Sequence, residues 1–134
     1  MIAALINARN QLTVCYTPQL ILAEANNYRY KLSEIDEVIA CVEVKKVQWY
    51  QVEIRHLTVA AAFERKGYAK ALLCEAERFA LRQGARLLQC TIREDNVPSR
   101  KLFEGIGFLH VGSFFNERSG NNIDVFQKVL ASAR

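Results

Sequence analysis

The sequence predicts a mixed α/β (α+β) fold, a mostly antiparallel central sheet flanked by helices, in a single domain over residues 1–134. Three observations carry this expectation. The chain is 51% apolar and 24% charged, which at this length supplies one packed core. Runs with apolar–polar alternation stand on both sides of one long segment whose apolar residues recur at helical spacing. No internal repeat, low-complexity tract or linker rich in Pro, Gly or Ser divides the chain.

Taken in order, residues 2–9 are compatible with a short helix and residues 11–16 with a brief strand or extended lead-in. Thr17 as N-cap and Pro18 at the first helical position start a second helix that Leu20 to Asn26 continue. Three strands are expected at Tyr28–Ser33, Val38–Val47 and Tyr50–Val59, the first two joined by the tight Glu34-Ile35-Asp36-Glu37 link of a hairpin. A helix from about Gly67 to Gln83 follows, with Leu72, Leu73, Ala76, Phe79 and Ala80 on its apolar face and Gly84 as its stop. Leu87–Arg93 reads as a buried strand. Pro98 near its start and Gly107 past its end bound a short helix, and residues 109–116 and 123–130 form a closing hairpin around Ser119-Gly120-Asn121-Asn122.

Composition excludes several classes. Residues 2–6 are apolar but too few for a spanning helix or a signal-peptide centre, and no later run approaches the eighteen or so apolar residues that a span needs, so a soluble cytoplasmic protein is expected. Cys15, Cys41, Cys74 and Cys90 lie far apart with no C-x-x-C pair and no His doublet, which argues against zinc. Reduced core thiols are the reading for all four, with Cys74 and Cys90 as small buried hydrophobes rather than nucleophiles.

The segment Arg65-Lys66-Gly67-Tyr68-Ala69-Lys70 stands directly after a strand-like run and at the start of the long helix. A helix start leaves backbone N–H groups without intrahelical partners and carries the positive end of the helix dipole, so an anion binds there with little rearrangement. Three cations in six residues add charge, and Gly67 removes a side chain from the approach. A solvated basic turn is the plainer alternative.

A second segment, Asn96-Val97-Pro98-Ser99-Arg100-Lys101-Leu102-Phe103-Glu104-Gly105-Ile106-Gly107-Phe108, makes the reading specific. The first segment resembles the acyl-CoA-binding motif Q/R-x-x-G-x-G/A of the GNAT superfamily of acetyl-CoA-dependent N-acetyltransferases. The second resembles that family's N-x-x-S/A-x-x-L-Y/F-x-x-x-G-F motif. The resemblance covers roughly residues 28–131 and implies a GNAT-like sheet with a cofactor cleft between the strands before and after the main helix. It also implies a shortened N-terminal region.

Residue by residue, the likeness implies a pyrophosphate cradle from the N–H groups of Arg65, Lys66, Gly67, Tyr68, Ala69 and Lys70. Glu64 stands where the family has Gln or Arg and would point away from the phosphates, and Arg65 occupies a slot where the family often has Gly. Leu57, Thr58 and Val59 on the preceding strand would contact the cofactor, Leu57 and Val59 through their main chain. Asn96, Ser99, Lys101 and Phe103 carry over as cofactor-binding positions, Asn96 toward the pantetheine amides. Capping of the helix entered by Pro98 is the alternative role for Asn96. Phe103 stands where many members carry a Tyr that protonates the departing thiolate.

Glu53 aligns with a catalytic Glu of several members and is the candidate general base, with an ion pair to Arg55 or a neighbouring lysine as its structural alternative. His56 has the more suitable intrinsic pKa, but strand alternation puts Glu53, Arg55, Leu57 and Val59 on one face and Ile54, His56 and Thr58 on the other, unless a bulge intervenes. A hydrogen-bonded role under a helix is the alternative for His56. His110 carries no specific signal.

The net charge of +4 is concentrated where the resemblance needs it: Arg65, Lys66, Lys70, Arg100 and Lys101 fall in the two motifs that would face the phosphates of coenzyme A. Lys45, Lys46, Arg82 and Arg86 are spread over other elements, and no aromatic platform accompanies the charge, so nucleic acid is not the expected partner. The implied activity is direct acetyl transfer from acetyl-CoA to the amine of a small molecule or protein, without a metal. A non-catalytic acyl-CoA-binding or regulatory module is the alternative, and a homodimer is implied by analogy.

Overall fold

The computed structural model describes residues 28–32 and 37–130, together with Ile2. The expectations for residues 3–27, including the Thr17–Pro18 helix start and Cys15, lie outside the described residues, as does the link at 33–36.

The described elements are β1 (Tyr28–Leu32), β2 (Val38–Gln48), β3 (Gln51–Val59), a 3-10 turn at Ala61–Phe63, α1 (Tyr68–Arg82), β4 (Leu87–Arg93), α2 (Val97–Gly105), β5 (Leu109–Asn116) and β6 (Asn121–Val129). The six strands follow the order β1-β2-β3-β4-β6-β5. β1 pairs antiparallel with β2, as do β4 with β6 and β5 with β6. β3 and β4 are neighbours joined through α1, the long connection that a parallel pair requires. The sheet is therefore mixed, as the sequence predicts. The chain packs as two compact units, Met1–Lys45 with Ile54–Arg78, and Lys46–Glu53 with Phe79–Arg134.

In the first unit β2 is the interior element. Ile39 to Val44 are buried without interruption, so both faces of the strand are covered, and the alternation expected of a half-exposed strand is lost there. Ile54 of β3 and Leu72, Leu73 and Ala76 of α1 complete this apolar interior. Lys31 on β1 and Glu75 on α1 pair at 2.5 Å, both about one-third exposed.

In the second unit Val52, Ala80, Ala85, Leu88, Cys90, Ile92, Phe103, Phe108, Phe126 and Leu130 are buried. The β2–β3 turn takes Trp49 and Tyr50, one residue later than expected, and the Tyr50 carbonyl accepts the N–H groups of Arg86 at 2.8 Å and Leu87 at 3.0 Å. α1 ends as its glycine predicts. Gly84 has φ +77, its N–H bonds to Leu81 O and that of Ala85 to Ala80 O, closing the last turn.

The same device ends α2 and accounts for part of the second motif. Gly107 has φ +100, the Gly107 N–H bonds to Glu104 O and the Phe108 N–H to Phe103 O. The Phe103 and Phe108 rings then meet edge to face, centroids 5.0 Å apart, the apolar contact that accompanies such a cap. β6 starts at Asn121, two residues earlier than expected. The turn at 117–120 is closed by Asn116, whose Oδ1 accepts the N–H groups of Arg118 and Ser119.

Candidate active site

The segment ahead of α1 has the backbone of an anion-binding turn. Arg65 (φ +63) and Gly67 (φ +83) both adopt left-handed conformations, and α1 begins one residue later than expected, at Tyr68. The first helical bond runs from Ala71 N–H to Gly67 O at 3.0 Å, so the N–H groups of Tyr68, Ala69 and Lys70 precede the helical ladder. A chain that alternates through left-handed residues turns successive N–H groups toward one concavity.

Arg65, Lys66, Gly67 and Lys70 are exposed, and the first turn of α1 holds no acidic residue to oppose an anion. Phe63 and Tyr68 brace the turn from its two ends, rings 6.3 Å apart, with Lys66 Nζ 5.6 Å from the Phe63 centroid. A Cβ on Gly67 would meet no protein atom within 4 Å, so it is the dihedral angle that requires glycine there.

β3 leads into this turn and holds the strand's irregular point. His56 has φ +51, rare for a residue with a Cβ. Its carbonyl accepts two hydrogen bonds, from Thr58 Oγ1 at 3.0 Å and from Cys41 Sγ at 3.8 Å. Its Nε2 lies 3.7 Å from Oε1 of Glu43, a carboxylate 5% exposed on β2. Burial, with the Arg55 charge adding to it, lowers the imidazole pKa below its ordinary value. At 3.7 Å the approach of the ring to Glu43 is longer than a hydrogen bond. Burial pushes the Cys41 thiol up to about 12, against a smaller opposing effect of the Thr58 hydroxyl.

Val52, Ile54 and Thr58 are the buried positions of β3, while Leu57 and Val59 are half-buried. Thr58, expected beside the cofactor, is 4% exposed, and its hydroxyl is turned to the His56 carbonyl. Sequence reasoning missed Glu43 and Cys41. The available signal was a lone carboxylate inside the apolar run Val38-Ile39-Ala40-Cys41-Val42-Glu43-Val44, since a buried charge is kept only where something needs it.

In the second unit Glu53 is half-buried, and its charge, behind the larger effect of burial, helps push the Cys90 thiol up to about 12. Asn96 caps α2: its Oδ1 accepts the Ser99 N–H at 3.3 Å. The oxygen is thus engaged within the helix cap, leaving the amide N–H donors for any other partner. Lys101 is exposed. Phe103 is 4% exposed, its ring drawn onto Phe108 by the cap of α2.

Arg100, counted in sequence among the cations facing phosphate, is committed elsewhere. Its Nη2 donates to Asp124 Oδ2 on β6, while Ser113 on β5 donates to Asp124 Oδ1 at 2.7 Å. His110 Nε2 lies 3.1 Å from Ser113 Oγ and 3.4 Å from Asp124 Oδ1, and its ring stacks on Phe126. His110 thus belongs to a polar network that no local pattern marked. The Ser113 hydroxyl, with the charges of His110 and Arg100, holds the Asp124 carboxyl below its usual pKa against the opposing effect of burial.

Cys41, Cys74 and Cys90 are free thiols; Cys41 and Cys90 are buried as expected, but Cys74 is exposed, because it falls on the solvent side of α1. Among the described residues no group of three or more His, Cys, Asp or Glu side chains is placed to hold a metal ion. No helix among them is long and apolar enough to cross a membrane.

The mixed six-stranded sheet, with its third strand running through a cationic, glycine-containing turn into the long helix, is the architecture that the sequence resemblance implies. The family model described as Acetyltransferase (GNAT) family matches residues 8–108, and the chain belongs to that family. No curated protein matches the sequence. Among solved structures, a chain of the NatC complex bound to Gag peptide and CoA is 19% identical, with a TM-score of 0.83 over 97% of this chain and 89% of that one. Ard1 from Thermoplasma volcanium is 18% identical with a TM-score of 0.84, covering 97% of this chain and 91% of that one. A GNAT family acetyltransferase from Elizabethkingia anophelis with acetyl-CoA bound is 16% identical with a TM-score of 0.76, covering 95% and 89%. At these identities the likeness establishes the fold.

Proposed function

We propose that the protein transfers the acetyl group of acetyl-CoA directly to a primary amine on a small molecule or protein, residues 1–134 acting as one cytoplasmic domain. The observation that carries this reading is the turn at Arg65 and Gly67, left-handed at both residues, cationic and placed at the mouth of α1. The diphosphate of the carrier is held there by the N–H groups of residues 65–70, with Lys66 and Lys70 supplying charge. β3 offers main-chain groups at Leu57 and Val59 to the pantetheine arm and acyl end. Asn96, through its amide donors, and Ser99 and Lys101 serve the carrier from α2. Positioning and deprotonation of the amine provide most of the rate.

Glu53 acts as the general base, taking the proton of the incoming ammonium directly or through water. With Phe103 at the usual Tyr position and its ring in the interior, the thiolate takes its proton from water or another hydroxyl, which slows the reaction without forbidding it. A homodimer through the C-terminal strands belongs to the same reading: β5 is the sheet edge, with Leu109, Val111, Phe114 and Phe115 exposed.

The test is a screen of amines with acetyl-CoA, following release of free thiol, repeated with Glu53→Gln. Thiol release that depends on an amine supports transfer. Thermal stabilisation by acetyl-CoA with no thiol released would instead indicate a binding module. An unchanged rate in the Glu53 variant removes that residue as base.

A further inference from the structure

We propose that one end of the second unit, built from the β2–β3 turn, the start of β4 and the last turn of α1, is a docking surface for single-stranded nucleic acid. Trp49 stacks on a base there, and Lys46, Arg82 and Arg86 meet phosphates. The inference stands apart from the acetyl-CoA reading and uses none of its residues.

Along the sequence Lys46 stands far from the two arginines, so no stripe of charge is visible. The fold gathers them. The Tyr50 carbonyl accepts the N–H of Arg86 at 2.8 Å, which sets Arg86 beside the aromatic turn. Arg82 lies in the last turn of α1, and the Ala85 N–H, bonded to Ala80 O at 3.0 Å, folds the link from Arg82 to Arg86 back onto the helix end. Lys46 joins them from the end of β2 that enters the turn. All three cations are exposed, and no acidic residue occurs in 44–52 or 79–93. Every one of these residues lies in the unit formed by Lys46–Glu53 and Phe79–Arg134.

Trp49 is 67% exposed at the tip of its hairpin, too open to serve as a packing residue. The Tyr50 ring meets it edge to face, centroids 5.3 Å apart and planes at 78°, so the indole is braced while most of its surface stays open. An open aromatic ring among cations is the arrangement that binds single strands: the ring takes a base and the cations follow the backbone. The neighbours of the ring favour this occupant over others that suit a basic surface. Gln48 and Gln51 bracket the turn, and their amides can donate and accept at the edge of a base but are costly in the apolar layer of a membrane. A protein interface centres on several apolar side chains and keeps charge at its rim, whereas this turn offers one large ring between cations and amides.

Trp49 is the sole tryptophan of the chain, so its fluorescence reads this surface directly. The full chain is titrated with single-stranded oligoadenylate, with an oligoglutamate peptide and with vesicles of phosphatidylserine and phosphatidylcholine. Oligoadenylate is expected to quench Trp49 without a blue shift, and contact with three phosphates gives a slope of about −2 for log affinity against log salt. Arg86→Ala is expected to weaken binding and to make that slope shallower by about 0.7, and Lys46→Ala to do the same, serving if Arg86→Ala does not fold. Trp49→Ala, followed with a labelled oligonucleotide, is expected to lower affinity about tenfold with the slope unchanged. An absence of quenching by oligoadenylate overturns the proposal. So does equal quenching by oligoglutamate, the mark of an acidic protein partner, or a blue shift on vesicles alone, the mark of a membrane. Binding lost in Lys70→Ala but kept in Arg86→Ala and Lys46→Ala overturns it too, because the strand then sits at the mouth of α1.

Discussion

Phe108 packs edge-on against Phe103 across the turn that ends α2, ring centroids 5.0 Å apart, and Gly107 between them sits at φ +100. The glycine and the two aromatics of the family motif are thus one capping device. The backbone reverses only if Gly107 is left-handed, and the reversal returns Phe108 to the ring of Phe103.

Gly107→Ala is therefore expected to destabilise the protein by about 1–3 kcal/mol, the cost of forcing a side chain into a positive-φ conformation. Its Cβ would also press on Lys128 Cε at 3.4 Å, a flexible chain end that can yield. Phe108→Ala removes a buried ring and should cost about 3–5 kcal/mol. Urea unfolding followed by circular dichroism measures both.

Asp124 makes stability depend on pH. Its folded pKa is depressed, chiefly by the Ser113 hydroxyl, so the stabilisation is present above the ordinary carboxylate value. It is lost as pH falls from that value through the lower folded one. Asp124→Asn should lower the melting temperature near pH 7 and flatten its decline in acid, and Ser113→Ala should do the same to a lesser degree. Melting curves between pH 2.5 and 7, on the order of the range over which carboxylates titrate, test this.

At the mouth of α1, Lys70→Ala is expected to weaken coenzyme A binding about fivefold in dilute buffer, with the difference shrinking as salt screens an exposed charge. Gly67→Ala should weaken binding as well, and should also destabilise the free protein, because φ +83 is strained for any L side chain. Calorimetry at two salt concentrations separates the two effects.

Thiol reactivity should follow exposure. Burial raises Cys41 and Cys90 to about 12, leaving almost no thiolate at neutral pH, whereas Cys74 is exposed on α1. Of these three, Cys74 is expected to be alkylated first by iodoacetamide. Peptide mapping by mass spectrometry reads the order directly, and modification of Cys90 ahead of Cys74 would contradict it.

What the sequence by itself determined was everything governed by near neighbours. Among the described residues the strand and helix spans follow from periods of two and 3.6, and the helix ends from Gly84 and Gly107. Each is a local rule, and each is met within a residue or two. The tertiary structure alone decided the rest. It set the Glu43 carboxylate beside His56 and brought Arg100, Ser113 and His110 to Asp124. It also turned Phe103 into the interior and left Cys74 on the surface. Those outcomes depend on which strands become neighbours and which faces are covered. They are set by the burial of many side chains at once, and no single segment carries that information.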